Sequence, residues 1–225
     1  SDIDGNPFLS REVLGGGSGG RYYADGSDAI HIVPNSRNQP AEYMETRFPV
    51  LVEKLGLKTD SGGAGLFRGG LGYEKDYRVL VDCNIIVTAD RVRLGCYGVN
   101  KGKAGSPFGV YVDISGKNKK LGGLVDNEPI KSGETLSVCT TGGGGWGDPL
   151  EREVERVLLD VIQKKVSKSA ATNEYGVVIV DTDSGQNVDK TATSILRKKL
   201  RNEGNKVEQM IDRGPGIKFF KILKG

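Results

Sequence analysis

Hydrophobic and polar positions divide the chain into two unlike stretches. Up to Trp146, short apolar runs alternate with glycine clusters; after it, apolar residues recur at helical spacing. The first stretch predicts strands at 48–57, 73–81, 84–89, 110–114, 119–124 and 135–140, each rich in β-branched or aromatic residues and bounded by turn formers. Strands this closely spaced predict a mostly antiparallel sheet, sandwich or barrel. In the second stretch Asp148 is placed to cap a helix, Pro149 suits its first position and Glu151 stands three residues after the cap. Leu150, Val154, Val157, Leu158, Val161, Ile162 and Val166 then form one helix face. A shorter helix is predicted at 167–173, a buried strand at 175–180 and a further helix at 189–202. The fold class is therefore α+β: a glycine-rich β region, 1–147, and a helical C-terminal extension, 148–225, that docks on the first region or on a partner. The apolar ending, Ile217-Lys218-Phe219-Phe220-Lys221-Ile222-Leu223, also reads as a docking segment.

Composition narrows the function classes. The 34 glycines are roughly twice the average share of about 7%, and 15 of them fall in three clusters, Gly15–Gly20, 61–70 and Gly142–Gly147, which read as loops or tight turns. Cys83, Cys96 and Cys139 are odd in number and lack a Cys-x-x-Cys pattern, so they read as isolated reduced thiols. No run reaches the roughly 18 apolar residues of a membrane span, and the opening residues lack the order of a signal peptide, so the expected location is the cytoplasm. Net charge is −1 over 1–150 (17 Lys+Arg against 18 Asp+Glu) and +4 over 151–225 (15 against 11). That asymmetry is too mild for a nucleic-acid protein, and Arg197-Lys198-Lys199-Leu200-Arg201 reads as a solvated helix face.

Familiar catalytic motifs fail on inspection. Gly15–Gly20 satisfies G-x-G-x-x-G, but the residues that follow are poor helix material, so no helix end is available for a pyrophosphate. Gly102-Lys103 and Gly116-Lys117 lack the Ser or Thr of a P-loop. The single histidine, His31, stands in an apolar run and reads as a packed, hydrogen-bonded residue. No metal-ligand spacing is present. What remains are polar residues in glycine-rich surroundings: Asn35, Arg37, Asn38 and Glu42; Arg68; Asp90 and Arg91; and Thr140-Thr141. Glycine lets backbone approach a ligand, and runs of free N–H groups form anion-binding nests. Arg37 either clamps a carboxylate or phosphate, or satisfies loop carbonyls or pairs with Glu42.

These segments resemble the hydantoinase B/oxoprolinase family. Asn35-Ser36-Arg37-Asn38 with Pro40 and Glu42, Phe48-Pro49, Asp60 to Gly72, Asp90-Arg91 with Gly98, Gly102 and Gly105, and Gly142 to Arg152 follow its motifs in order, and Tyr175-Gly176-Val177-Val178 continues the likeness. The resemblance implies a subunit, or the C-terminal part of one, in an ATP-dependent complex hydrolysing a cyclic amide. The alternatives it leaves open are a subunit of an ATP-dependent ketone carboxylase and a non-catalytic assembly subunit. It implies a hydantoinase A type partner that phosphorylates an enol or amide oxygen, and a chain supplying the upstream hydantoinase B region. ATP and a divalent metal belong to those parts and not to this chain, which alone is expected to be inactive. The substrate is a small molecule; neither nucleic acid nor membrane is a partner. Around His31 the sequence departs from the family's histidine pattern, so no catalytic role carries over to His31.

Overall fold

The computed structural model describes residues 4–31, 36–114, 116–183, 185–203 and 210–218. Five antiparallel strands form the main sheet in the order β1 (Val50–Leu57), β2 (Tyr73–Val79), β8 (Thr135–Cys139), β5 (Gly109–Ile114) and β6 (Lys117–Lys120). A ribbon of β3 (Cys83–Thr88) and β7 (Leu124–Ile130) covers one face. Val50, Tyr77, Val79, Val110, Val112 and Val138 of the sheet share one core with Ile85 and Ile130 of the ribbon and Met44 of α1 (Ala41–Arg47). The arrangement is α+β, with every strand pair among the described residues antiparallel.

Four local expectations needed correction. The strand read at 119–124 is two strands, because Leu121 turns into the core and the next two residues, Gly122 and Gly123, redirect the chain. β7 was missed since Leu124 is 83% exposed and Pro129 interrupts the pattern. Asp148 does accept from the Leu150 amide at 2.9 Å, but it caps only a single 3-10 turn, Pro149–Glu151. Arg152 is then extended and α2 runs over Val154–Ile162, so Leu150 and Val166 lie outside the helix. The strand read at 175–180 starts only in β9 (Ile179–Thr182), which pairs with β10 (Gly185–Val188). Tyr175 instead ends α3 (Lys168–Tyr175), and Gly176, at φ 62°, is its left-handed cap.

The helical part has its own core of Val157, Val161, Val166, Ala171, Tyr175 and Val177, and Ala64 from the glycine-rich region enters it. α4 (Lys190–Glu203) starts where the Asp189 carboxylate accepts the Ala192 amide at 2.9 Å. Near the end of the chain, β11 (Ile211–Asp212) pairs with β4 (Gly98–Val99), and the Asp212 carboxylate accepts the Ala104 amide at 2.9 Å. The apolar residues 219–223 lie outside the described residues.

The glycine clusters are neither flexible loops nor simple turns. Segment 142–147 runs among segments 16–20, 62–70 and 98–105, backbone against backbone. Gly20 donates to Gly144 O at 2.8 Å, Gly63 to Gly143 O at 2.8 Å, Gly143 to Gly70 O at 2.9 Å, Gly70 to Ser18 O at 2.8 Å and Gly145 to Lys103 O at 2.9 Å. Of the glycines in these segments only Gly147 has positive φ, so left-handed backbone is not the reason for glycine at the others. The reason is space: a Cβ on Gly143 would overlap the Ser18 carbonyl, and one on Gly70 the Ser27 carbonyl.

Candidate functional site

Alternation along β2 places Tyr73, Lys75, Tyr77 and Val79 on the inward face, where a lysine is out of keeping with its neighbours. Lys75 is 0% exposed, and its ammonium donates to both Glu12 carboxylate oxygens at 2.8 and 3.0 Å. Tyr77 donates its hydroxyl to the same carboxylate, and the Lys75 ammonium lies 4.9 Å from the centre of its ring. Burial, then the Glu12 hydrogen bond and charge, push the Tyr77 phenol far above its ordinary value, so it stays a donor. The N-terminal segment is thereby fixed over the sheet by a buried, hydrogen-bonded ion pair.

Further along the same face the Tyr73 hydroxyl donates to Ala29 O at 2.8 Å, and its ring lies 6.2 Å from that of His31. The half-buried His31 has Ser36 Oγ 2.8 Å from Nδ1, Asn38 Oδ1 3.0 Å from Nε2 and the Gly15 amide 3.3 Å from Nε2. Nε2 cannot accept from Gly15 and donate to Asn38 in one tautomer. With the proton on Nε2, the ring donates to Asn38 and accepts from Ser36; with it on Nδ1, it donates to Ser36 and accepts from Gly15. The imidazole thus has a partner for its proton at either nitrogen without turning, which equips it to take up or deliver a proton.

Of the residues singled out by sequence, Asn38 belongs to this cluster and exposed Arg37 stands beside it. Asn35 lies outside the described residues. Glu42 is exposed in the first turn of α1, and no ion pair joins it to Arg37 among the described residues. Asp90 and Arg91 are exposed after β3, where Arg91, at φ 60°, donates to Gly95 O at 3.4 Å. No described hydrogen bond joins them to His31. The amides of Gly142, Gly143, Gly145 and Gly147 are all spent on backbone carbonyls, so this cluster is not an open nest for an anion.

Arg68 belongs elsewhere. It is 2% exposed in a buried ionic network where Arg152 grips Asp25 with both nitrogens, at 2.7 and 2.8 Å, and reaches Asp160 at 2.8 Å. Arg68 lies 3.4 Å from Asp28 and 3.6 Å from Asp160, and Lys165 lies 3.0 Å from Asp28. Burial alone would raise the Asp25 carboxyl, but the hydrogen bonds and charge of Arg152, with the Arg68 amide, hold it below its ordinary value. Asp28 is held low against its burial by the Leu71 amide, Lys165 and Arg68. Glu12, Lys75, Asp25 and Arg152 all escaped the sequence reading; only Lys75 carried a signal, its inward position on β2.

Cys83, Cys96 and Cys139 are unpaired thiols, and burial raises those of Cys83 and Cys139. Among the described residues no group of three or more His, Cys, Asp or Glu could hold a metal ion, and no helix is long and apolar enough to cross a membrane.

Comparison with known proteins places this geometry. A protein from Methanocaldococcus jannaschii is 38% identical over 196 residues, covering 87% of this chain and 35% of that one. Caprolactamase subunit beta from Pseudomonas jessenii is 36% identical over 164 residues, 69% of this chain and 27% of that one. The solved ATP-dependent caprolactamase from the same organism superposes with a TM-score of 0.71 at 31% identity, over 83% of this chain and 33% of that one. Acetone carboxylase in its nucleotide-free form gives 0.72 over 86% of this chain and 30% of that one, but at 20% identity it shares the fold alone. The chain spans about a third of the length of these relatives. Residues 1–149 match the family model described as hydantoinase B/oxoprolinase, and the chain belongs to that family.

Proposed function

We propose that the chain forms the C-terminal part of a B-type subunit in an ATP-dependent complex that hydrolyses a cyclic amide. The observation that carries this reading is the likeness to caprolactamase, at 36% identity to its subunit beta, whereas the acetone carboxylase likeness stands at 20%. The partner is an A-type subunit that uses ATP to phosphorylate the amide oxygen, and the upstream B-type region holds the divalent metal. Phosphorylation turns a poor electrophile into one that water can attack in a closed site. His31, with Ser36 and Asn38, is suited to moving a proton there, and Arg37 beside them to meeting the phosphate or carboxylate that develops.

The test is to measure ADP release by the reconstituted complex with a panel of lactams, hydantoins and ketones, with and without bicarbonate. Turnover on a cyclic amide independent of bicarbonate supports the reading; bicarbonate-dependent ATP use with a ketone replaces it by carboxylation. In the same assay Arg37→Ala should lower turnover at least tenfold while the complex stays assembled by size-exclusion chromatography. Unchanged turnover removes Arg37 from the site.

A further inference from the structure

One groove, of about 620 Å³, lies between α2 and α4, far in sequence from the His31 cluster. Its wall carries Lys190, Arg197, Lys198 and Arg201 against a single carboxylate, Glu155. Arg197 is half-buried and spends its guanidinium on Tyr175 O at 3.1 Å and Arg152 O at 2.6 Å, while Arg201 reaches Leu150 O at 3.3 Å. These arginines pin α4 to the 3-10 turn and the end of α3 through backbone carbonyls, and among the described residues neither forms an ion pair. Burial and then the neighbouring Arg201 charge hold Arg197 below its ordinary value, against the weaker opposite pull of Asp148 and Glu155. Among the described residues neither Lys190 nor Lys198 has an ion-pair partner.

Beside the basic wall lie apolar side chains without cover. Ile195, 66% exposed, shares a helix stripe with Lys198, and on α2 Leu159 and Ile162, 51% and 54% exposed, continue the line of Glu155. From Lys190 to Arg201 the charges extend along roughly 16 Å of helix, at 1.5 Å per residue. A single phosphate needs convergent cations, and a nucleic acid would use aromatic platforms that this groove lacks. The chain's own end does not suit it either, because residues 217–225 carry Lys218, Lys221 and Lys224 and no acidic side chain.

We infer that the α2–α4 groove docks an acidic, amphipathic segment of the partner subunit, its carboxylates meeting Lys190, Lys198 and Arg201 and its apolar side chains covering Ile195, Leu159 and Ile162. The inference rests on the proposed two-subunit complex for its occupant, but its test reads assembly and not turnover. Treating the assembled complex with a carbodiimide, which joins amines directly to carboxylates, should link Lys190 or Lys198 to Asp or Glu side chains within one stretch of the partner subunit, located by peptide mass spectrometry. In parallel, Lys190→Glu with Lys198→Glu should raise the subunit dissociation constant at least tenfold and weaken its salt dependence, with the melting temperature of the chain unchanged. Cross-links confined to Glu155, or an unaltered dissociation constant, would overturn the inference. So would protection of these lysines from acetylation by pyrophosphate but not by the partner, which would mark a phosphate site. Failure of the complex to hydrolyse any cyclic amide would remove the functional reading and leave this result standing.

Discussion

Around Gly143 the chain is held by backbone touching backbone; around Arg152 it is held by side chains reaching between segments. In the first region four segments approach so closely that a Cβ at most of their glycines would overlap neighbouring backbone, and the hydrogen bonds between them are amide to carbonyl. In the second, Val157, Ala171 and Val177 are fully buried and Arg152 ties two aspartates together. The difference teaches where each region is vulnerable. At its glycine positions the first region has no side chains to trim and fails by addition, whereas the helical region fails by removal.

Gly143→Ala should break the contrast most sharply. Its methyl would sit on the Ser18 carbonyl, which is backbone held by its own bond to Gly70, and overpacking beyond about 3 kcal/mol should prevent the native state from forming. Soluble yield and denaturant midpoint measure this, and a native-like midpoint would mean the segments can separate. Next comes Arg152→Met, which leaves Asp25 and Asp160 facing each other and should cost about 3–5 kcal/mol in urea unfolding. A loss under about 1 kcal/mol would show those carboxylates to be solvated.

The same variant has a pH signature. Asp25 and Asp28 titrate below their ordinary values in the folded chain, so the stability they contribute is present above about pH 4 and is lost as pH falls through the folded values. Without Arg152 the Asp25 share should vanish, flattening the acid limb of a stability–pH curve; an unchanged limb would assign it to other carboxylates.

Smaller effects sharpen the comparison. Thr193→Val keeps the shape but removes the buried hydroxyl that accepts the Val178 amide at 3.0 Å, leaving a half-buried donor unpaired at about 1 kcal/mol, readable by calorimetry. Gly56→Ala should be the control: nothing lies within 4 Å of its added methyl and its φ is not positive, so stability should hold or rise by up to about 1 kcal/mol. If Gly56→Ala were as damaging as Gly143→Ala, close approach would not be the reason for the glycines.

The sequence was legible where one segment's pattern decides its own structure. β1, β2, β5 and β8 announced themselves by runs of β-branched and aromatic residues between turn formers, and the helices beginning at Ser167 and Asp189 by their own local pattern. It was illegible where the deciding partner is remote. Glycine clusters look alike whether they make a turn or a packed interior, and only the meeting of 142–147 with three other segments tells them apart. Arg152 sat inside the span read as one helix, yet its place is set by Asp25 on another segment. In the candidate site Asn38 was found from its motif, whereas Lys75 was marked only by its inward place on β2, which the Glu12 that meets it explains.

The pairing of Gly17 with Thr141 and of Gly20 with Gly144 also fixes an order of events during synthesis. The helices after Trp146 use local contacts and can form quickly, but the central segment of the glycine interior is made last among its four. Segments 16–20, 62–70 and 98–105 can bond to one another, as Gly70 does to Ser18 and Lys103 to Ala64, but the groups they share with 142–147 wait until that segment leaves the ribosome, and closing such distant contacts is slow. Stopped-flow refolding should therefore show helix signal gained well before the Trp146 environment becomes native.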